Sequence, residues 1–217
     1  EAEIGRIPDP KIAEKKVTAI GLKGTNGFDQ IFVLRTEGTA EGTNDLGKNI
    51  KVTFYDQNKE KDMILDAFKI IEEFPFVVTY NGDEFDLPYL YNRAERLGIK
   101  NENNPLYMMK DSATLKHGVH LDLYRTLSNR SFQIYAFSQK YTDFSLNSVS
   151  KALLNKEKID YGLAFDQLSL YQTANYCYND ALLTYELTSF NNDLLMDLLI
   201  IIPGVGRMAI DDNRRMG

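Results

Sequence analysis

Short apolar runs separated by polar segments dominate the first part of the chain and predict strands joined by loops. Residues 17–22, 31–34 and 51–55 are rich in β-branched and aromatic side chains, and we expect them to form three successive antiparallel strands. The polar stretch 36–48, rich in Gly and Thr, is the predicted loop between the last two. This part of the sequence therefore predicts a small sheet.

Helical and strand patterns alternate after that sheet. The predicted elements are a helix at 61–71, a strand at 76–79, a helix from 88 to about 97, an irregular insertion at 101–118, a strand at 119–123 and helices from 146 onward, with one or two long helices over 171–202. This alternation predicts an α/β fold, a mixed sheet flanked by helices, in one domain that spans residues 1–217.

Composition narrows the class of protein. A chain of 217 residues with 43% hydrophobic and 26% charged residues is typical of one globular domain with a sizeable core. The single cysteine, Cys177, excludes an internal disulfide and favours a reducing, cytoplasmic compartment. The apolar run 194–202 is interrupted by Asp197 and is too short to cross a membrane.

A net charge of −6 argues against extensive nonspecific binding of duplex DNA, yet it is compatible with a nuclease site built from carboxylates.

Two acidic stretches carry the candidate chemistry. Asn81 and Asp86 belong to an acidic turn directly after the apolar strand 76–79, where an α/β protein presents side chains rigidly and where oxygen ligands for Mg²⁺ or Mn²⁺ would be well placed. The alternative is that the turn is only structural and Asp86 caps the next helix. Tyr176 and Asp180 are four residues apart, on one face of a predicted helix. The alternative interpretation of this pair is that the Asp faces solvent and the Tyr packs in the core.

These stretches resemble exonuclease motifs of family B DNA polymerases. Residues 80–90 (YNGDEFDLPYL) are similar to the second motif, in which Asn is followed by Phe or Tyr and then Asp, and Tyr176 with Asp180 matches the third motif, Tyr-x-x-x-Asp. The likeness to archaeal replicative polymerases continues, in order, through GRIPDP at 5–10, VHLDLY at 119–124, SLNSV at 145–149 and FNND at 190–193. It covers nearly the whole chain.

The resemblance implies a ribonuclease-H-like 3′→5′ exonuclease domain that proofreads for a DNA polymerase. It implies two divalent ions, Mg²⁺ or Mn²⁺, with Asp86 and Asp180 as two of four carboxylate ligands, and Tyr176 as the residue that orients the attacking water. Asn175, in place of His, favours the tyrosine subclass of these exonucleases. The implied partners are the single-stranded 3′ end of DNA and the remaining domains of a polymerase associated with the nucleoid, with no membrane partner.

Five residues match family positions that contact DNA: Asn81, Phe85, Ser145, Leu146 and Lys156. Asn81 and Phe85 would meet the unpaired terminal nucleotides through an amide and a stacking ring. Phe85 is equally suited to the core, and Ser145 is also a good helix N-cap. Lys156 fits a permissive phosphate-contact pattern that a solvated lysine would fit as well.

Neighbouring polar residues are predicted to be structural. His120 and Asp122 alternate with apolar residues on the strand 119–123, which puts both on its polar face or at the edge of a site. A carboxylate site elsewhere favours structural roles for both. Asp83 and Glu84 compete with Asp86 for a ligand role, and the motif spacing favours Asp86.

The first exonuclease motif of the family, Asp-x-Glu on the central strand, has no match ahead of GRIPDP, where only Glu1 and Glu3 stand. We expect the chain to begin just after that motif and to lack the first strand of the fold. Glu1 and Glu3 as a divergent motif are the alternative. As it stands, the chain is expected to bind metal weakly, to show little nuclease activity, and to have a rearranged sheet or one completed by a neighbouring chain.

Three functions follow from these observations. The first is a proofreading exonuclease domain. The second is a catalytically silent structural or DNA-path module of the same fold, and the third is a free-standing DEDD-type nuclease that acts on RNA or DNA. The sequence contains no polymerase motif, so nucleotidyl transfer is not expected from these residues.

Overall fold

The computed structural model describes residues 8–110 and 112–206, with side chains as far as residue 200. These residues form seven strands and six α-helices: β1 (Ala19–Lys23), β2 (Asp29–Leu34), β3 (Lys51–Tyr55), α1 (Glu60–Glu73), β4 (Phe76–Thr79), α2 (Asp86–Arg96), β5 (Leu106–Met108), β6 (Ala113–Leu115), β7 (Val119–Asp122), α3 (Leu123–Leu127), α4 (Leu146–Leu154), α5 (Leu170–Thr188) and α6 (Phe190–Gly206). Strands and helices alternate through the first half, and helices follow.

The first sheet has the order β1-β2-β3. β1 and β2 are antiparallel, with Ala19 opposite Val33, whereas β2 and β3 are parallel, with Gln30 opposite Lys51. The prediction that all three strands are antiparallel is therefore wrong at β3. The polar connection at 35–50 is long enough to return the chain to the end of the sheet where β2 began, as a parallel pair requires.

β4 and β7 form a second, parallel pair in which Phe76 lies opposite Val119 and Thr79 opposite Asp122. Parallel strands end at the same edge, so the turn after β4 and the turn after β7 meet there. The polar residues that follow each strand are thereby brought together. This edge positions the candidate site.

Helix α5 spans both sheets, because it contacts β1, β2 and β4. Its closest approach is at Gly21 of β1, where a Cβ atom would lie 2.8 Å from the backbone oxygen of Cys177. Glycine is therefore needed at this position to seat the helix. Within the described residues, β1 pairs only with β2 and β4 only with β7, so the mixed sheet is in two parts bridged by α5.

The insertion at 101–118, predicted to be irregular, contains an antiparallel hairpin. β5 and β6 pair with Leu106 opposite Leu115, and the buried side chains of Leu106, Ala113 and Leu115 pack in one cluster with residues of α1 and α2. Each strand has only three residues, which is too short for a pattern of alternation to be visible in the sequence.

A buried ion pair ties α1 to α2 and to the segment before β1. Arg93 donates from Nε and Nη2 to the two carboxylate oxygens of Glu60, each at 2.7 Å, and the two side chains are 9% and 4% exposed. Arg93 Nη1 also donates to the carbonyl oxygens of Ala13 and Glu14, at 3.1 and 2.7 Å. Val17 N donates to Glu60 Oε1 at 2.8 Å. Every charged atom of the pair is thus hydrogen-bonded, as burial requires.

The C-terminal region forms two helices, α5 and α6, in keeping with the one or two predicted. Left-handed backbone angles interrupt the start of α6 at Asn191, Asn192 and Asp193. Asn and Asp adopt this conformation more readily than other non-glycine residues. None of the helices among the described residues is both long enough and apolar enough to cross a membrane.

Candidate functional site

The acidic turn after β4 is shaped by its first two residues. Asn81 has a left-handed φ of 64°, and a Cβ atom at Gly82 would collide with the side chain of Thr79. The carbonyl oxygen of Asn81 accepts a hydrogen bond from Phe85 N at 3.2 Å, which closes the turn. Phe85 is the N-cap of α2 and makes no side-chain cap, so Asp86 is the first helical residue and not the cap. The structural role of Asn81 and Gly82 therefore does not require the Asp86 carboxylate to act as the N-cap.

Asp122 holds this turn in place. Its Oδ1 accepts hydrogen bonds from Asn81 N at 2.7 Å and Tyr124 N at 3.0 Å, and its Oδ2 accepts one from Asp83 N at 3.0 Å. Burial raises the pKa of Asp122 above its ordinary value, although these hydrogen bonds oppose the rise. Asp122 is therefore a structural residue that joins the ends of β4 and β7, which is the role expected from the sequence.

Asp83 is held by two basic side chains, His120 and Arg125. Its Oδ1 lies 3.1 Å from His120 Nδ1, its Oδ2 pairs with Arg125 Nε, and Thr79 Oγ1 lies 2.8 Å from His120 Nε2. Burial opposes ionisation of Asp83, but the hydrogen bond and charge of His120, together with Arg125, outweigh it and hold the pKa of Asp83 below its ordinary value. Glu84 is exposed, 3.7 Å from Arg125. Asp86 is left as the carboxylate of this turn that faces other acids.

The Asp83 network predicts an acid-sensitive contribution to stability. Asp83→Asn should lower the free energy of unfolding near neutral pH by about 1–3 kcal/mol, because His120 and Arg125 lose a charged partner. A carboxylate with a lowered pKa stabilises the fold above the pKa of the unfolded state, and that stabilisation is lost as the pH falls through the pKa of the folded state.

Urea titrations of wild type and Asp83→Asn should therefore converge as the pH falls below about 4. Asp45→Asn, in an exposed loop, is the control and should unfold like wild type at every pH. A difference between Asp83→Asn and wild type that stays constant through this range would contradict the assignment.

Asp86 and Asp180 come from different elements and lie close enough to influence each other. The protein atoms around Asp86 raise its pKa to about 6, first by desolvation and then through the negative charges of Asp122 and Asp180. Asp86 is nevertheless exposed, so water screens the electrostatic effects of these neighbours. The two sequence-predicted carboxylates are thus within electrostatic reach of each other, and Asp122 acts on Asp86 more strongly than Asp180 does.

Asp180 has one satisfied and one unsatisfied oxygen. Its Oδ2 lies 2.7 Å from the Nζ atom of Lys158, whereas its Oδ1 is buried and has no hydrogen-bond partner among the described residues. Burial raises the pKa of Asp180, and Lys158 opposes that rise. A buried carboxylate oxygen without a partner is uncommon in folded proteins and is suited to accept a cation.

The donor set is small. Among residues 8–110 and 112–200, no group of three or more His, Cys, Asp or Glu side chains is arranged to hold a metal ion. Asp86 and Asp180 by themselves are therefore an incomplete ligand set. Hard divalent cations prefer carboxylate oxygens and retain several waters, so the pair fits such an ion as part of a ligand set.

Tyr176 lies one helical turn before Asp180. The Nζ atom of Lys158 stands 5.2 Å from the centroid of the Tyr176 ring, and the Phe165 ring packs edge-on against it, with centroids 5.9 Å apart. Phe165 is 49% exposed. Tyr176, Asp180 and Lys158 thus form one group beside an exposed aromatic ring.

Lys158 is the residue of this group that the sequence did not identify. The permissive lysine pattern pointed to Lys156, whose Nζ lies 2.6 and 2.8 Å from the two carboxylate oxygens of Glu186. Lys156 therefore pairs with a different carboxylate from Lys158. The sequence shows one lysine on each side of Glu157, and it does not indicate which of the two pairs with Asp180.

Phe85 and Asn81 lie in the turn that leads to Asp86. Phe85 is partly buried, and its ring packs against the Tyr89 ring with centroids 5.8 Å apart. Asn81 is partly buried and uses its backbone, not its side chain, for the recorded contact with Asp122. Both side chains therefore remain candidates for DNA contacts at the rim.

Ser145 and Leu146 begin α4. Ser145 Oγ accepts a hydrogen bond from Ser148 N at 3.3 Å, so the hydroxyl acts as the N-cap that the sequence also allowed, and Leu146 packs against the hydrophobic core. The adjacent Phe144 is held to the acidic turn, because Tyr80 donates from its hydroxyl to the carbonyl oxygen of Phe144 at 2.6 Å. This bond links the start of α4 to the strand end that carries the site.

The sequence of this chain is similar to known DNA polymerases. The family described as DNA polymerase family B, exonuclease domain, matches residues 1–149. DNA polymerase 1 of Aeropyrum pernix is 35% identical over 210 residues, and DNA polymerase 1 of Saccharolobus solfataricus is 37% identical over 212, each covering 97% of this chain. A DNA polymerase of Thermococcus litoralis is 31% identical over 160 residues, which is 64% of the chain.

The chain spans only 22% and 24% of the first two of these relatives. The family match covers the acidic turn, and the match to the two archaeal polymerases extends over nearly all of the chain. The mixed α/β architecture, with helices around two groups of strands, agrees with the predicted ribonuclease-H-like fold. The chain therefore belongs to the family of exonuclease domains of family B DNA polymerases.

Proposed function

We propose that this chain is the 3′→5′ proofreading exonuclease domain of a longer family B DNA polymerase, and that it removes mispaired 3′-terminal nucleotides by phosphodiester hydrolysis. The observation that supports the proposal is that Asp180 on α5 lies near enough to Asp86, in the turn after β4, to raise its pKa. Two carboxylates far apart in sequence are thus within electrostatic reach of each other in a chain of this family.

Asp86 and Asp180 would hold Mg²⁺ or Mn²⁺ together with further ligands of the domain, two ions in all. The unpartnered Oδ1 of Asp180 supports this, because a bound cation would satisfy it. When bound, divalent ions lower the pKa of water and stabilise the charge that develops on the leaving 3′ oxygen. Proofreading would place the polymerase with chromosomal DNA in the cytoplasm, next to the nucleoid.

The remaining roles belong to the side chains around the carboxylates. Tyr176 would orient the attacking water through its hydroxyl, since the residue lies one turn from Asp180 on the same face of α5. Asn81, Phe85, Ser145, Leu146 and Lys156 are proposed to contact the single-stranded 3′ end. Other domains of the polymerase would hold the duplex, in keeping with the negative charge of this chain.

The role of Tyr176 gives a graded test of this function. Tyr176→Phe in the polymerase that carries this chain should slow removal of a mismatched, 3′-labelled nucleotide by about tenfold, since the hydroxyl is lost while the carboxylates remain. Single-turnover digestion would measure the rate, and primer extension would monitor the polymerase. Tyr171→Phe, five residues earlier in α5 and packed against Phe54, is the matched control and should keep the wild-type rate.

Two results would contradict the proposal. Unchanged digestion by Tyr176→Phe would remove the tyrosine from the reaction. Absence of digestion by the wild-type polymerase, with normal extension, would favour a catalytically silent module of the same fold.

A further inference from the structure

We propose that Lys158 is an internal counter-ion of Asp180, which occupies this carboxylate in the absence of a divalent cation and must leave it before a cation binds. Lys158 would thereby set the metal affinity of the Asp86–Asp180 pair. This inference rests on the proposed function, because it takes Asp180 to be a metal ligand.

The contact itself is the first support. Lys158 Nζ lies 2.7 Å from Asp180 Oδ2, with the two side chains only 28% and 31% exposed. An ammonium group and a divalent cation seek the same carboxylate oxygens and repel each other, so both cannot occupy Oδ2 together. Binding of a cation at Oδ2 therefore requires the ammonium group to move.

Lys158 is held at this position by its backbone and its side chain. Lys158 N donates to Asn147 Oδ1 on α4 at 2.8 Å, and Ile159 N donates to Asn179 Oδ1 on α5 at 3.1 Å. The Nζ atom lies 5.2 Å from the Tyr176 ring centroid, within the range of a cation–π contact. Two helices thus fix the loop so that the side chain reaches Asp180, which separates this ion pair from an ordinary surface contact.

The charge balance gives a reason for such a residue. Asp86 and Asp180 would repel each other if both were ionised with no cation nearby. The positive charge of Lys158 reduces that repulsion and satisfies one Asp180 oxygen, while Oδ1 stays without a partner. The site is therefore partly neutralised while no cation is bound.

Lys156 provides a matched control. It carries the same charge two positions earlier in the same loop, but it pairs with Glu186 and its side chain is 53% exposed. Removal of either lysine changes the net charge of the chain equally. Only removal of Lys158 frees Asp180.

The test is direct metal binding by the full chain with Mn²⁺ as the probe, measured by the electron paramagnetic resonance signal of free Mn²⁺. Lys158→Met should tighten Mn²⁺ binding by roughly three- to tenfold relative to wild type, which is the range that a partly buried ion pair can supply. Lys156→Met should leave the affinity close to wild type. Circular dichroism would verify that each variant is folded.

A second measurement follows the displacement itself. Acetic anhydride labelling, read by mass spectrometry, should modify Lys158 faster when Mg²⁺ is added, and Lys156 at an unchanged rate. Equal tightening by Lys158→Met and Lys156→Met would reduce the effect to net charge and overturn the inference. Labelling of Lys158 that is insensitive to Mg²⁺ would also overturn it.

Asp180→Asn separates this inference from the proposed function. If Asp180→Asn binds Mn²⁺ as well as wild type does, Asp180 is not a ligand and both fail. If Asp180→Asn weakens binding but Lys158→Met behaves like Lys156→Met, only the role of Lys158 fails.

Discussion

Asp86→Ala or Asp180→Ala should reduce the 3′→5′ exonuclease activity of the polymerase that carries this chain by about a hundredfold or more, while primer extension stays near wild type. Each substitution removes a charged oxygen donor from the place where the phosphate would be cleaved. Asp180→Ala also removes the carboxylate that pairs with Lys158, so the positive charge of Lys158 would remain at the site without this partner. Both variants should therefore be defective at every metal concentration.

The measurement is single-turnover digestion of a 3′-labelled single strand over a series of Mg²⁺ and Mn²⁺ concentrations. Asp62→Ala is the matched control, because Asp62 is an exposed residue of α1 that pairs only with Lys59 among the described ion pairs. It should digest at the wild-type rate. If Asp86→Ala and Asp180→Ala lose extension and digestion equally, the two residues support the fold and not the reaction.

Arg93→Ala should lower the free energy of unfolding by about 3–5 kcal/mol, which is the largest effect on stability that we expect from any single contact described above. The substitution leaves Glu60 charged and buried, and it also removes the donors that satisfy the carbonyl oxygens of Ala13 and Glu14. The segment before β1 would lose its attachment to α2. Urea unfolding followed by circular dichroism would measure the change.

Arg96→Ala is the control for this experiment. Arg96 lies in the same helix but is exposed, and it makes one long contact of 3.4 Å with the carbonyl oxygen of Ile12. Its loss should cost less than about 1 kcal/mol. The double variant Glu60→Met with Arg93→Met should recover part of the stability lost in Arg93→Ala, because no unpaired charge is then buried. Similar unfolding of Arg93→Ala and Arg96→Ala would contradict the structural role of the pair.

Strands and helices with a strong local pattern were predictable. The strand before Asn81 was expected at 76–79 and occupies those residues, and α1 was expected at 61–71 and runs over Glu60–Glu73. In both segments, the spacing of apolar residues matches a single type of secondary structure. The hairpin at β5 and β6 was missed because its strands are too short to display a spacing.

The pairing of elements depended on contacts between distant residues. A long connection allows either direction of β3, and the parallel one is selected by packing against β2 and α1, which no local pattern records. A structural role for Asp122 was expected from the sequence, but its hydrogen-bond partners were not. Only the meeting of the β4 and β7 ends makes Asp122 an acceptor for the backbone N–H groups of Asn81 and Asp83.

By itself, the sequence determined the fold class, the family and the candidate carboxylates Asp86 and Asp180, because periodicity and motif spacing are local properties of the chain. The tertiary structure alone decided that Asp180 lies within electrostatic reach of Asp86, and that Lys158 and not Lys156 pairs with Asp180. No local feature of the sequence distinguishes the two lysines. Anchoring of their loop to Asn147 and Asn179 directs Lys158 to Asp180, and a contact of this kind exists only once α4 and α5 have packed together.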